Sequence, residues 1–225
     1  MSPYPIIFVF DLDNTLVHSS IDFLGIRQAL ADWASKNGIK EVHEFQKMPI
    51  SGIASRIETK FGPKSAASQQ VWRIVEEFEE KGMAKATISD DVIPALQKIR
   101  KLGIKSAIFT NNSLKSAKPA LEKFQLGPFD VIKARDNVSA MKPSGIGLSE
   151  IIRILSGTAE KTYFVGDSWV DGLCAQDAGI KFIAFGTERF SQIEERGIPY
   201  HMRVENMRQL SKFAERVLTK GESLS

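Results

Sequence analysis

The sequence predicts an α/β fold: a doubly wound parallel sheet with helices on both faces, interrupted by an inserted α-helical cap. Short apolar runs recur along the chain, beginning with Ile6-Ile7-Phe8-Val9-Phe10. A run with no polar alternation suits a strand covered on both faces, as in a parallel sheet. Helical patterns lie between most of these runs, and alternation of strand and helix is the mark of this architecture. One helical block, residues 18–83, breaks the alternation and is too long for a simple connection.

Taken in order, the first strand stops at Asp11-Leu12-Asp13-Asn14-Thr15. In the helical block, Phe23, Ile26, Leu30 and Trp33 form one apolar stripe, ending near Gly38. Val71, Val75 and Phe78 form another, ending near Gly82, and Trp33 and Trp72 read as packing residues of the cap. Between the stripes, Pro49, Gly52, Gly62 and Pro63 are turn formers, so residues 49–53 read as a loop. A helix over 91–102 carries Val92, Leu96 and Ile99, with Asp90 as its N-cap and Gly103 as its stop. Strands follow at 105–110, 129–133, 162–165 and 181–185. Ser113 caps a helix bearing Ala117, Leu121 and Phe124, and Leu148, Ile151, Ile152 and Leu155 mark the next. Val170, Cys174 and Ala178 mark another, ending at Gly179; Met207, Leu210, Ala214 and Val217 mark a last helix before a polar, frayed tail, 219–225. The expected division is a core of 1–17 and 84–225 and a cap of 18–83, with linkers near 17–21 and 83–88.

Composition narrows the function classes. The 225 residues are 43% hydrophobic and 25% charged, as in ordinary globular proteins. The net charge of +3 comes from 30 Lys+Arg against 27 Asp+Glu, without a run of five like charges. That argues against a nucleic-acid partner and suits a small anionic substrate. Cys174 is the single cysteine, so no internal disulfide can form. No apolar run is long enough for a membrane span. A cytoplasmic enzyme is the default expectation.

Four polar clusters carry candidate chemistry. Asp11 and Asp13 follow the first strand, where open α/β sheets bind ligands. Two residues apart in extended chain, their carboxylates point the same way and repel unless a cation neutralises them. Hard oxygen ligands suit Mg²⁺. Asp167 and Asp171 lie at the end of the 162–165 run, one helical turn apart. Lys142 precedes Pro143, which biases it away from helix into a shaped loop. Thr110-Asn111-Asn112 ends the second core strand with groups able to hold phosphate oxygens. Each cluster alone also reads as a turn, a helix cap or a surface loop; their order along the chain gives them weight together.

In these clusters the chain resembles the haloacid-dehalogenase-like hydrolase superfamily, in particular its phosphoglycolate-phosphatase-like branch with a helical cap. Asp11-Leu12-Asp13-Asn14-Thr15 matches the first motif, Thr110 the second, Lys142-Pro143 the third, and Gly166-Asp167 through Asp171 the fourth. The run Ser144-Gly145-Ile146-Gly147 departs from the Pro-rich helix start expected after the third motif. The resemblance implies a Mg²⁺-dependent phosphatase of small phosphorylated metabolites. Asp11 would be the nucleophile, forming an aspartyl-phosphate, and Asp13 the general acid and base. Asp11, Asp13 (through its backbone carbonyl) and Asp167 would hold the metal, with Asp171 behind it or bound to Lys142. Thr110, Asn111 and Lys142 would bind the transferring phosphoryl oxygens. It also implies that strand one lies beside strand four.

Other readings stay open at this point. Phosphomutases share the motifs. A 2-haloacid dehalogenase does not need Asp13, which favours phosphoryl chemistry. A non-catalytic binding protein on this fold would be expected to have lost a core carboxylate. For specificity, the 49–53 segment and Arg56 are the cap candidates, Arg56 as a partner for a substrate carboxylate or else as a solvated helix charge. His18 reads as a cleft or hinge residue, Trp169 as near the metal, and Cys174 as inert packing.

Overall fold

The structure, a computed structural model, describes residues 3–220. A six-stranded parallel sheet forms its centre, in the order β3-β2-β1-β4-β5-β6. The strands are β1 (Ile7–Phe10), β2 (Lys105–Phe109), β3 (Val131–Lys133), β4 (Thr162–Gly166), β5 (Lys181–Phe185) and β6 (Met202–Val204). The helices are α1 (Phe23–Lys36), α2 (Ile50–Phe61), α3 (Ala66–Ala84), α4 (Val92–Lys101), α5 (Leu114–Lys123), α6 (Ile146–Ile154), α7 (Trp169–Asp177), α8 (Phe190–Glu195) and α9 (Met207–Lys220).

β1 shows why the first apolar run is a strand. All four of its residues are fully buried, between β2 on one side and β4 on the other. Ile7 and Val9 join one hydrophobic cluster, with Leu148, Ile151 and Phe164, whereas Phe8 and Phe10 join the other. Alternate side chains thus serve opposite faces of the sheet, and neither face can be polar. The cluster on the Phe8 side continues into the inserted block, through Ile26 and Leu30 of α1 and Val71 and Val75 of α3.

Helices α1 to α3 stand between β1 and α4, where the sequence places the block. The chain enters and leaves it side by side: His18 and Thr87 exchange backbone hydrogen bonds of 2.8 and 3.0 Å. His18 is exposed there and bonds Ser89, so it belongs to this crossing and not to the cleft.

Several local expectations are corrected. Residues 50–53 open helix α2 instead of forming a loop, with Pro49 as the N-terminal cap residue. A proline there has no N–H for the helix to miss, and Gly52 is carried by the helical turn. The N-cap position of helix α4 is Asp91, not Asp90, and its side chain accepts from Arg208 N–H instead of from the helix. Strand β6 and helix α8 were not expected. Beyond residue 220 the predicted tail lies outside the described residues; Thr219 itself is helical.

Candidate active site

The carboxyl ends of β1, β2 and β4 converge on one cleft beneath the helical block. Asp11 continues β1, its N–H donating to Val165 O of β4 at 2.9 Å. This pairing brings the first and fourth motifs together, since β1 and β4 are neighbours in the sheet. The turn after Asp11 is closed by Asn14 N–H to Val17 O, with Asn14 left-handed at φ 59°.

Lys142 is the centre of the constellation. Its Nζ donates to Asp11 Oδ1 and to Asp171 Oδ1, each at 2.6 Å, and all three side chains are buried. Asn111 clamps the lysine's backbone: Asn111 Nδ2 donates to Lys142 O and Lys142 N–H donates to Asn111 Oδ1, both at 2.9 Å. Ser51 of α2 adds a hydrogen bond to the same carbonyl at 3.1 Å, joining the helical block to this loop.

Asp171 is held from behind. Ser168 caps α7, and its N–H and hydroxyl both donate to Asp171 Oδ2, at 3.1 and 2.6 Å. One Asp171 oxygen thus faces Ser168 and the other Lys142. Gly166 permits this approach, because a Cβ there would lie 2.6 Å from the Asp171 side chain. The Ser144–Gly147 departure has a similar cause. A Cβ on Gly145 would lie 2.4 Å from Ala178 N, so this glycine lets the Lys142 loop pack against the end of α7.

Electrostatics follow from burial. Asp11 is pushed up to about 7, by burial first, with Lys142 opposing and Asp171 adding to the rise. Burial, then the neighbouring Asp171 and Asp11, hold Asp167 well above the usual carboxylate range. Burial also raises Asp13, against hydrogen bonding from Ser19. For Lys142, burial works against the charge, but Asp11 and Asp171 outweigh it and hold the ammonium above its ordinary value. Oxygens of Asp11, Asp167 and Asp171 all lie within 4.8 Å of one another. Among the described residues, Asp13 Oδ1 and Asn112 Nδ2, both on residues lining the cleft, are buried with no hydrogen-bond partner. Buried polar atoms are seldom left unpaired unless something else binds them.

The cleft holding these groups has a volume of about 580 Å³. Asp11, Asp13, Thr110, Asn111, Lys142 and Asp167 all line it. Pro49, Ile50, Ser51 and Trp169 line it too. A larger outer cavity of about 1520 Å³ meets it at Ser51, Trp72 and Lys142 but contains none of the carboxylates of the first and fourth motifs. Trp72 is therefore a wall of both cavities as well as a packing residue.

Arg56 is not brought to the site. It pairs with Glu41 and Glu44, lies over the Phe45 ring and lines neither cavity. Sequence reasoning also missed functional neighbours. Glu79 of α3, 3% exposed, receives Arg135 Nη1 and Nη2 at 2.6 and 3.0 Å, together with Ser113 N–H and the Ser116 hydroxyl, each at 3.1 Å. Arg135 in turn donates to Asn111 O at 2.9 Å and lies over Trp72. Its signal was present: Glu79 stands in the i, i+4 series Val71, Val75, Glu79, Met83, an apolar stripe where a free charge does not belong.

Comparison with known proteins identifies the family. Residues 8–185 match the family described as haloacid dehalogenase-like hydrolase. The chain is 31% identical over 201 residues to a phosphoglycolate phosphatase of Cereibacter sphaeroides, covering 86% of this chain and 90% of that protein. It is 25% identical over 188 residues to a phosphoglycolate phosphatase of Caulobacter vibrioides, covering 79% and 78%. A hydrolase from Pseudomonas syringae shares the fold with a TM-score of 0.69 at 18% identity, over 94% of this chain and 99% of that one. By sequence, by fold and by the four motif positions gathered in one cleft, the chain belongs to the haloacid dehalogenase-like hydrolases, and it is an enzyme of their phosphatase kind.

Proposed function

We propose that this enzyme hydrolyses small phosphomonoesters with the help of Mg²⁺, through an aspartyl-phosphate on Asp11. The observation that carries the reading is the buried Lys142 ammonium shared by Asp11 and Asp171 beside Asp167. A cation fits this site: the donors are oxygens, they lie within reach of one ion, and burial penalises their unneutralised charge. Asp11, Asp167 and the Asp13 backbone carbonyl would hold Mg²⁺. When bound, it supplies positive charge against the phosphoryl oxygens.

The chain's own residues account for the steps. An Asp11 carboxylate oxygen attacks phosphorus; the O–P bond forms as the bond from phosphorus to the leaving oxygen breaks. Asp13, whose carboxyl burial raises, gives its proton to that leaving oxygen. It then takes a proton from water, which attacks the phosphorus, frees phosphate and restores Asp11. Lys142, Thr110 and Asn111 line the space for the phosphoryl group, with Asp171 holding Lys142 in place. Helices α1 to α3 exclude water from above, and we assign residues 18–83 to a cap distinct from the core on that ground. The single cysteine, which can form no internal disulfide, supports a reducing cytoplasmic setting.

The test is phosphate release across a panel of small phosphoesters, with Mg²⁺ or EDTA, for wild type and Asp11→Asn. Release that needs Mg²⁺ and disappears in the variant is expected. Release unchanged in EDTA, or retained by Asp11→Asn, contradicts the reading.

A further inference from the structure

The loop that carries Lys142 runs on into Ser144-Gly145-Ile146-Gly147, where a Pro-rich helix start is expected. Proline fixes φ, so such a start is stiff before any contact forms. Glycine does the opposite and leaves the backbone its widest choice of conformations. Lys142 meets Asp11 only if this segment is held, so the stiffness must come from elsewhere.

Helix α7 meets the segment along one row of side chains. Asp171, in its first turn, accepts from Lys142 Nζ at 2.6 Å. Three residues on, the Cys174 thiol donates to Ser144 O at 3.1 Å. Three further on, Asp177 Oδ2 accepts from Gly145 N–H at 2.6 Å. Residues three apart are neighbours on a helix surface, so these side chains form one ridge. The helix thus grips the lysine at its tip and, behind it, a carbonyl and an amide of its backbone. A thiol is a weak donor, whereas a hydrogen bond to a carboxylate is among the strong ones. Asp177 is therefore the firm hold behind the lysine.

Gly145 and Asp177 depend on each other. A Cβ on Gly145 would lie 2.4 Å from Ala178 N, the residue after Asp177, so only glycine lets α7 come this close. A proline there would also lack the N–H that Asp177 receives. Gly145 is the N-cap position of α6, and no side chain of that helix's own first turn caps it. Asp177 brings a carboxylate to that end from a neighbouring helix, where the dipole favours negative charge.

We propose that Asp177 is a positioning residue: paired with Gly145, it gives the Lys142 loop the fixed shape that the expected prolines would give, and so sets the ammonium against Asp11 and the phosphoryl group. Asp177 touches neither of these itself. It is exposed, on the wall of the outer cavity. This role rests on the phosphatase reading for its reaction but not for phosphate binding.

The test is a double-mutant cycle between Asp177 and Lys142. It is read as kcat on the best ester of the panel and as calorimetric affinity for inorganic phosphate, both with Mg²⁺. Because Asp177 is exposed, Asp177→Ala is expected to fold. It is expected to lower both readouts about tenfold, the lower end for a hydrogen bond to a charged group. In a Lys142→Met background the same change is expected to matter less than about threefold, because the side chain it positions is gone. Asp177→Asn keeps an oxygen for Gly145 N–H and is expected to recover most of the loss. A merely structural Asp177 would lower the urea midpoint and leave the folded protein's kcat and phosphate affinity in place. A change below about threefold in both readouts, or equal losses in the two backgrounds, overturns the role. If Lys142→Met does not fold, hydrogen exchange over residues 142–149 carries the comparison: faster exchange in Asp177→Ala but not in Asp177→Asn supports the role, and unchanged exchange overturns it. The cycle appearing in phosphate affinity supports the role even if wild type hydrolyses nothing, in which case only the phosphatase reading falls. Wild type that neither hydrolyses an ester nor binds phosphate overturns both.

Discussion

Replacing Glu79 by alanine is expected to destabilise the protein more than the loss of any exposed charge. Glu79 is 3% exposed and is met by Arg135, Ser113 and Ser116. Removing it strands Arg135, whose side chain is only 10% exposed, without a counterion. Breaking a buried ion pair from one side costs about 3–5 kcal/mol, a large share of a typical domain's stability. For a chain of this size that corresponds to a Tm lower by roughly 6–20 °C. Urea unfolding followed by circular dichroism reads the change directly. Replacing both partners, as Glu79→Leu with Arg135→Met, is expected to cost less than the two single changes together, because no unpaired charge remains. The loss reaches the reaction as well. Arg135 braces Asn111, and Asn111 clamps the backbone of Lys142, so kcat falls in Glu79→Ala under conditions where the variant is fully folded. A stability loss below about 1 kcal/mol refutes the reasoning, since it would mean that Arg135 is satisfied by solvent.

Three further outcomes follow from the site. Lys142→Met leaves Asp11 and Asp171 facing each other without their cation, and kcat for phosphate release is expected to drop roughly 10²–10³-fold; a variant within tenfold of wild type would show that Lys142 is not needed for charge stabilisation. Asp11, ordinarily at 3.8 and raised to about 7 in the fold, keeps its proton in the folded protein where the unfolded chain has lost it. Its stability contribution is therefore present below 3.8 and lost as pH rises through about 7. By the same competition, Mg²⁺ affinity weakens as pH falls through about 7 and binding releases protons, which calorimetry in buffers of different ionisation enthalpy detects; an affinity flat across that range contradicts it. Arg56→Ala is expected to leave kcat/KM unchanged, because Arg56 is tied to Glu41 and Glu44 outside both cavities; a selective rise in KM would return it to the site.

The central sheet was legible because its strands are buried on both faces and must be written as apolar runs. β1, β2, β4 and β5 all read this way. β6 did not: it is three residues, Met202-Arg203-Val204, at the sheet edge, with Arg203 exposed and lying over Phe190. Three residues are too few to show a period. The carboxylates proposed for catalysis were legible because motif chemistry sits at strand ends, and chain order alone places them there. The start of α2 was lost because Pro49 and Gly52 signal turns locally, while tertiary packing of Ile53, Ala54 and Ile57 favours helix. Arg27 of α1, which lines the cleft, and Arg135 were invisible for a different reason. Which of many arginines faces the cleft depends on how α1 and the segment after β3 are set against the core, and no local pattern encodes that. Glu79 alone among these carried a usable sign, its place on a buried stripe.

Covalent capture at Asp11 tests the account most directly. Wild-type enzyme is mixed with Mg²⁺ and a phosphate-labelled substrate found by the panel, quenched in acid during turnover, digested and mapped. The account predicts label on the peptide containing Asp11, at a level that tracks turnover, and none in Asp11→Asn. Turnover without label at any quench time, together with phosphate release by Asp11→Asn, would mean that water attacks the substrate directly and that Asp11 is not the nucleophile.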